Sequence, residues 1–334
     1  MMKKKIAVIG AGSMALNGGK AFIDTDQAEI CGVASKHVET ARACAKKLSC
    51  DRYFDNYKKI VETEPDALLV EVPLGPQNEI VLWALDEGFD VLIGGCLATS
   101  VEYGKSIVEL TKKKNRTVEV GFNGRYDPLW VETRKIVMSG MIGKPIMATS
   151  MTYFRADPES WYYNEELSGG MPLLHLTYCY LNAMRWVLGT PTHVSATGNK
   201  LAQTRPHHIS DESCAAVVQY ENQSFASVVG SYATPDSLPG MEPQFVCTEG
   251  AVKINNRSDP GSKNITVFKD GKTEILSFDA KESSLVRQAK AFLNAMETGE
   301  QASNPVEDAL IDIEVAEAMA ISSKEHRTVR MSDL

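Results

Sequence analysis

The chain has 334 residues, enough for about two domains and for a core that needs neither disulfide nor metal staples. Hydrophobic residues make up 43% and charged residues 23%, an ordinary globular balance. The net charge of −8 argues against nucleic acid as a partner, because phosphate binding draws on clusters of lysine and arginine.

The basic run Lys3-Lys4-Lys5 leads into only four apolar residues, Ile6 to Ile9, before a glycine. That run is too short for a signal-peptide core and reads as the lead-in to a first strand, Lys4–Ile9. A helix is expected from the following glycine turn to about Asp24, a strand at Glu29–Ala34 and a helix at Val38–Leu48, where Ala41, Ala45 and Leu48 recur at helical spacing. Further strands are expected at Ala67–Val72, Val91–Ile93 and Val118–Phe122, with helices at Asn78–Gly88 and Val101–Lys113 between them. Strands alternating with helices at this spacing predict βαβ units and a parallel sheet buried on both faces. Residues 1–122 are therefore expected to form a doubly wound domain.

The pattern then changes. Helices are predicted at Pro128–Ser139 and His175–Leu188, with an alternating strand at Pro145–Phe154. Seven strand-like runs follow: His193–Gly198, Ala215–Tyr220, Ser224–Ser231, Gln244–Thr248, Ala251–Asn255, Asn264–Lys269 and Lys272–Ser277. Turn residues such as Asn222, Gly250 and Asp270-Gly271 separate them. Closing helices are predicted at Ser284–Thr298 and Pro305–Lys324. Residues 123–334 thus read as an α+β domain with a mostly antiparallel open sheet, whose C-terminal helix is a candidate to pack back on the first domain.

The most apolar long segment, Met171–Gly189, is interrupted by His175, Asn182 and Arg185 and falls short of a membrane span. The seven cysteines are odd in number, scattered and without a Cys-x-x-Cys pair. That disfavours a disulfide framework or a structural zinc site and suits a reducing compartment. A cytoplasmic protein with no membrane partner and no metal is the expectation.

Gly10-Ala11-Gly12-Ser13-Met14-Ala15 fits the pattern G-x-G-x-x-G/A. The first glycine allows a tight turn, the second lets the backbone approach a pyrophosphate, and the small sixth residue lets helix pack on strand. The motif follows a strand and opens a helix, which is the context it requires. Gly10, Gly12, Ser13 and Met14 are the expected pyrophosphate-binding residues. A ribose-gripping acid is expected at the end of the second strand for NAD. Ser35-Lys36-His37 stands there instead. A hydroxyl followed by a cation suits a 2′-phosphate, so Ser35 and Lys36 favour NADP, with NAD as the alternative.

These features, together with Pro73, the segment Gly121-Phe122-Asn123-Gly124-Arg125-Tyr126-Asp127-Pro128, Gly169-Gly170, Met141-Ile142-Gly143-Lys144-Pro145 and Asn304-Pro305-Val306-Glu307-Asp308-Ala309, resemble the glucose–fructose oxidoreductase/inositol dehydrogenase/MocA family over nearly the whole length. The resemblance implies a nicotinamide-dependent dehydrogenase. It also exposes departures. Where the family resembles Thr-Pro-Asn followed by His, this chain has Val72-Pro73-Leu74-Gly75, with Asn78 at the histidine's place. Where the family resembles Glu-Lys-Pro, with the lysine near the substrate hydroxyl and the nicotinamide, this chain reads Gly94-Gly95-Cys96. Where it resembles Asp-x-Gly-x-His-x-x-Asp, this chain reads His175-Leu176-Thr177-Tyr178-Cys179-Tyr180-Leu181-Asn182. The resemblance assigns Pro73, Asn78, Gly94 and Gly95 to the cofactor side of the cleft.

Positions 175, 179 and 182 are spaced i, i+4, i+7 and share one helix face. If that face looks into the cleft, as the resemblance implies, His175 is the candidate general acid/base, because histidine titrates near neutrality. The bland alternative is a helix histidine hydrogen-bonded in a tight pocket. Cys179 is the candidate thiol, against the commoner role of a packed cysteine. Arg125, Tyr126, Trp161 and Asn182 are the candidate substrate contacts, since aromatics with a few polar groups suit a sugar-like ligand. Gly94-Gly95 is expected to leave room where a lysine stem would lie.

Three functions compete. The first is an NAD(P)-dependent oxidoreductase acting on a sugar, polyol or related hydroxy/keto compound with altered catalytic residues. The second is a non-catalytic cofactor-binding sensor or regulatory scaffold. The third is a redox-neutral lyase or glycosidase with a retained nicotinamide. A homodimer or homotetramer formed through the C-terminal sheet is expected, as the family resemblance implies.

Overall fold

The computed structural model describes residues 3–157, 159–169, 181–202, 211–235, 238, 240–255, 263–278 and 281–334. The chain divides into two compact units, residues 1–126 with 282–311, and residues 127–281 with 312–334.

The first unit holds a parallel sheet of β1 (Lys4–Ile9), β2 (Ala28–Ala34), β3 (Tyr53–Phe54), β4 (Ala67–Val70), β5 (Asp90–Ile93) and β6 (Val118–Val120), in the order β3-β2-β1-β4-β5-β6. The helices are α1 (Ser13–Asp24), α2 (Val38–Lys47), α3 (Leu74–Asp86) and α4 (Val101–Lys114). Ile6, Ala7 and Val8 of β1, and all four residues of β4, are fully or almost fully buried. Continuous burial without alternation is what helices on both faces of a parallel sheet produce. The short edge strand β3 was not foreseen; two residues carry no periodicity to read. Helix α3 begins at Leu74, four residues before the expected start. Gly75 and Pro76 look like loop residues in sequence, yet the first turn of a helix has no intrahelical acceptor for its N–H groups, so proline is tolerated there.

The second unit is built on β7 (Pro145–Tyr153), β8 (Pro191–Asn199), β9 (Ser213–Tyr220), β10 (Phe225–Ser231), β11 (Met241–Cys247), β12 (Gly250–Asn255), β13 (Asn264–Lys269), β14 (Lys272–Ser277) and β15 (Val329–Arg330). The nine strands run in the order β14-β13-β12-β11-β7-β10-β9-β8-β15. All their pairings are antiparallel except β7 with β10. Helix α5 (Pro128–Met138) opens on an Asp127 cap that accepts from Leu129 N, followed by proline at its first position. It presses Trp130 edge-on against Phe245 of the sheet. Short α6 spans Glu165–Ser168, and the described residues 181–188 belong to helix α7. One face of the sheet buries Ala148, Ala216, Val218, Ala226 and Val228. The opposite face keeps Met147, Met151, Val217 and Val229 partly exposed.

Two later helices, α8 (Ser284–Thr298) and α9 (Val306–Glu325), follow the sheet. Helix α8 starts on a Ser283 cap and ends on Gly299 in the left-handed region, φ 72°. It packs on α1 within the first unit, where Phe22 and Phe292 meet edge to face with ring centroids 6.1 Å apart.

Candidate active site

The sheet order of the first unit reverses between β1 and β4. The carboxyl ends of two strands that part in this way leave a crevice, the usual ligand site of an open α/β sheet. Gly10 lies at that edge with φ +121°, and a Cβ there would come 2.0 Å from the backbone carbonyl oxygen of Glu71 at the end of β4. Gly12 precedes α1, and an added Cβ would meet nothing within 4 Å. The helix has no side-chain cap and no acidic residue in its first turn, and Ser13 and Met14 are exposed. Unclaimed N–H groups, a positive helix end and an open approach fit a pyrophosphate.

Ser35 and Lys36 sit just past β2, beside β1. The Ser35 backbone N–H donates to Phe54 O at 3.1 Å, its hydroxyl lies 3.0 Å from that of Thr40, and Lys36 is exposed.

Pro73 directly precedes α3 at φ −53°. Asn78, expected on the cofactor side, is buried and turned to another task. Its amide donates to the Thr99 hydroxyl at 2.6 Å and accepts from Thr99 N at 3.2 Å. Its neighbour Gln77 donates to Cys96 O at 2.8 Å. Together they pin the turn that follows β5. A buried carboxamide must satisfy both its donor and its acceptor, and this turn offers both.

Gly94 and Gly95 follow β5 on the same edge as Gly10. The side-chain space of Gly94, where the family pattern has glutamate, is filled. A Cβ at Gly94 would lie 2.1 Å from Glu71 Oε2 and 2.5 Å from its Cδ. Glu71 keeps partial exposure as a residue, while burial of its carboxyl pushes it up from 4.5 to about 7. No hydrogen bond or ion pair engages that carboxyl among the described residues. Sequence reasoning passed over Glu71. Its one signal was an acid closing the apolar run Ala67–Val72.

Of the proposed substrate contacts, Arg125 and Tyr126 belong to the first unit and Trp161 and Asn182 to the second. Arg125 lies in the interior of the first unit at 4% exposure, donating to Ser303 O at 2.6 Å and pairing with Asp308. Tyr126 donates its hydroxyl to Glu119 Oε1 at 2.6 Å. The charge and the phenol both find partners within the first unit. Asn182, in the second unit, is 1% exposed and donates to Asp312, which also accepts from Arg185 Nε at 2.8 Å. Trp161 is half-buried against Tyr162, ring centroids 4.4 Å apart, in an aromatic group with Phe154 and Tyr232. His175 and Cys179 lie outside the described residues.

Glu119 is fully buried, and desolvation raises it from 4.5 to about 7 against the opposing hydrogen bonds of Tyr126 and Gln288 and the charge of Arg125. The folded carboxyl keeps its proton where the unfolded one has lost it. Stability is thus fully present below about pH 4.5 and falls as pH rises towards about 7. Such a shift is worth on the order of 3 kcal/mol. Glu119→Gln should flatten that part of the slope in denaturant titrations run across this range, while keeping the acceptor for Tyr126.

Among the described residues no helix is long and apolar enough to cross a membrane, and no group of three or more His, Cys, Asp or Glu side chains could hold a metal ion.

A reversed parallel sheet with a glycine cradle at its switch point, joined in one chain to a mixed sheet, defines a two-part nucleotide-dependent enzyme fold. Residues 4–122 match the oxidoreductase family's NAD-binding Rossmann fold and residues 134–331 match its C-terminal alpha/beta domain. The chain belongs to the Gfo/Idh/MocA oxidoreductase family. It is 22% identical over 308 residues, 87% of each chain, to the D-glucoside 3-dehydrogenase of Escherichia coli K12. It is 22% identical over 254 residues, 75% of this chain and 73% of the other, to the scyllo-inositol 2-dehydrogenase (NAD(+)) of Bacillus subtilis 168. The fold is that of the aldose-aldose oxidoreductase of Caulobacter crescentus, solved with glycerol, at TM-score 0.89 and 20% identity over 98% of this chain and 100% of that one.

Proposed function

We propose that this protein is an NAD(P)-dependent oxidoreductase acting on a CH–OH group of a sugar, polyol or related hydroxy/keto compound. The carrying observation is the Gly10–Gly12 cradle at the switch point of a unit that matches the family's nucleotide-binding domain. Gly10, Gly12, Ser13 and Met14 would hold the pyrophosphate, and Ser35 with Lys36 would meet the adenosine ribose. A nicotinamide, when bound, supplies hydride exchange with carbon. Its relatives named for glucosides and inositols support hydroxyl-rich substrates of moderate size. Trp161 suits such a ligand.

Calorimetric titration of nucleotide-free protein with NADPH, NADH and their oxidised forms tests this reading. Binding of the phosphorylated pair in preference to the other is expected. Lys36→Ala should weaken NADP(H) roughly tenfold while sparing NAD(H), the loss of one charge-assisted contact. Equal loss for both pairs would remove Lys36 from ribose recognition. Failure of all four nucleotides to bind would end the oxidoreductase reading.

The absent lysine at Gly94-Gly95-Cys96 favours a second reading, a cofactor-binding sensor without turnover. Nucleotide binding with no oxidation of any sugar or inositol would select it. We also propose self-association through the sheet face carrying Met147, Met151, Val217 and Val229, since apolar residues gathered on one sheet face mark a contact surface. Sedimentation of the wild type and of Val217→Lys tests this, with dissociation of the variant expected.

A further inference from the structure

We propose that the Glu71 carboxyl, lodged in the side-chain space of position 94, is the proton-handling group of the active site. The inference rests on the nicotinamide-dependent reading above, and on three independent observations.

The first is place. Glu71 directly follows β4, and its backbone carbonyl is the atom a Cβ on Gly10 would strike at 2.0 Å. It therefore stands at the switch-point edge, beside the glycine of the proposed pyrophosphate cradle. The second is exchange of position. A side chain at 94 would leave the backbone where Glu71 Oε2 and Cδ already lie, at 2.1 and 2.5 Å from the Cβ position. This is the position where the family pattern resembles glutamate. In this chain the carboxyl beside the end of β5 comes from the residue after β4. Glycine at 94 is what permits this, because any Cβ would displace the acid. The third is isolation. A mostly buried carboxyl normally finds a hydrogen-bond donor or a cation. Glu71 has none among the described residues, and no charged group of those residues acts on it. An acid left without a partner at a ligand edge is arranged for a partner that arrives with the ligand.

The chemistry closes in the oxidation direction. The substrate O–H bond breaks and its proton passes to the Glu71 carboxylate. The C–O bond becomes C=O as the carbinol hydrogen leaves with its electron pair to an oxidised nicotinamide dinucleotide. Reduction runs the same steps backwards, with the protonated acid as donor. A carboxyl that titrates near neutrality serves both directions.

The test uses Glu71→Gln and reads proton exchange as well as turnover. NAD+ and NADP+ are titrated into wild type and variant near pH 7, in buffers of different ionisation heat. A cationic ring arriving beside a protonated acid favours its ionised form, so wild type should release a fraction of a proton per nucleotide. The variant should bind with similar affinity and release none. With myo-inositol, scyllo-inositol or a methyl glucoside that wild type oxidises, kcat should drop about 10²–10³-fold with little change in KM, and the acid limb of the pH profile should vanish. Gly94→Ala, which pushes the carboxyl aside, should reduce the proton release without unfolding the protein. The pair Glu71→Ala/Gly94→Glu, which returns the acid from β5, should restore it and keeps the test open if Glu71→Gln folds poorly. Nucleotide binding with identical proton release in wild type and Glu71→Gln would overturn the proposal and leave the cofactor reading standing. No nucleotide binding at all would overturn both.

Discussion

Replacing Asp312 by alanine is expected to cost about 3–5 kcal/mol of stability, among the largest single-residue effects in the molecule. Asp312 is 4% exposed and accepts from both Asn182 and Arg185, themselves 1% and 6% exposed. Removing it takes one carboxylate contact from a guanidinium in a dry interior, and the desolvation already incurred is less fully offset. Asp312→Asn keeps the shape but not the charge and should fall between. Urea midpoints for the two variants check this. Midpoints equal to wild type would mean that water or another acceptor takes over.

Gly10→Ala is expected to abolish nucleotide binding and to destabilise the first unit by about 1–3 kcal/mol. Two effects combine. The φ of +121° is one that residues with a Cβ rarely adopt, and the added carbon meets a backbone carbonyl at 2.0 Å that no rotamer change can move. Relief requires β1 and β4 to part at their carboxyl ends, which opens the crevice the pyrophosphate would use. Titration heats and thermal unfolding of one variant separate the effects. Retained nucleotide affinity would mean that the turn rebuilds itself. Gly12→Ala is the contrast, since its Cβ meets only open space in the protein.

The parallel half of the fold was legible because burial on both faces forces uninterrupted apolar runs, as in Ile6–Ile9 and Ala67–Val70. The later strands were legible from alternation and from turns at Asn222 and Asp270-Gly271. The neighbours of β7 were not, because sequence order does not say that Pro145–Tyr153 lies between β10 and β11, more than seventy residues downstream. The cradle residues Gly10 and Gly12 could be read because glycine answers a local backbone need. Glu71 could not, because its meaning lies in an absence at position 94 on another strand. Two departures that look unrelated in one dimension, an acid before Val72-Pro73 and a glycine after Ile93, are a single feature in three. The partners of Arg125 and Asn182 were not legible either, because sequence order does not show that Asp308 and Asp312 reach them.

Helix α8 has a consequence for how the protein is made. The nucleotide-binding unit draws Val286, Ala289, Phe292 and Leu293 into the cluster that holds Phe22, Ala21 and Leu48. Asn304 also donates to Val120 O at 2.8 Å at the edge of the same sheet. During synthesis the first 126 residues leave the ribosome long before these partners exist. Until residues 282–311 emerge, the nascent Rossmann sheet carries an uncovered apolar flank and cannot close as a finished module. Premature termination anywhere in the second unit would therefore yield a sticky fragment rather than a small nucleotide-binding protein.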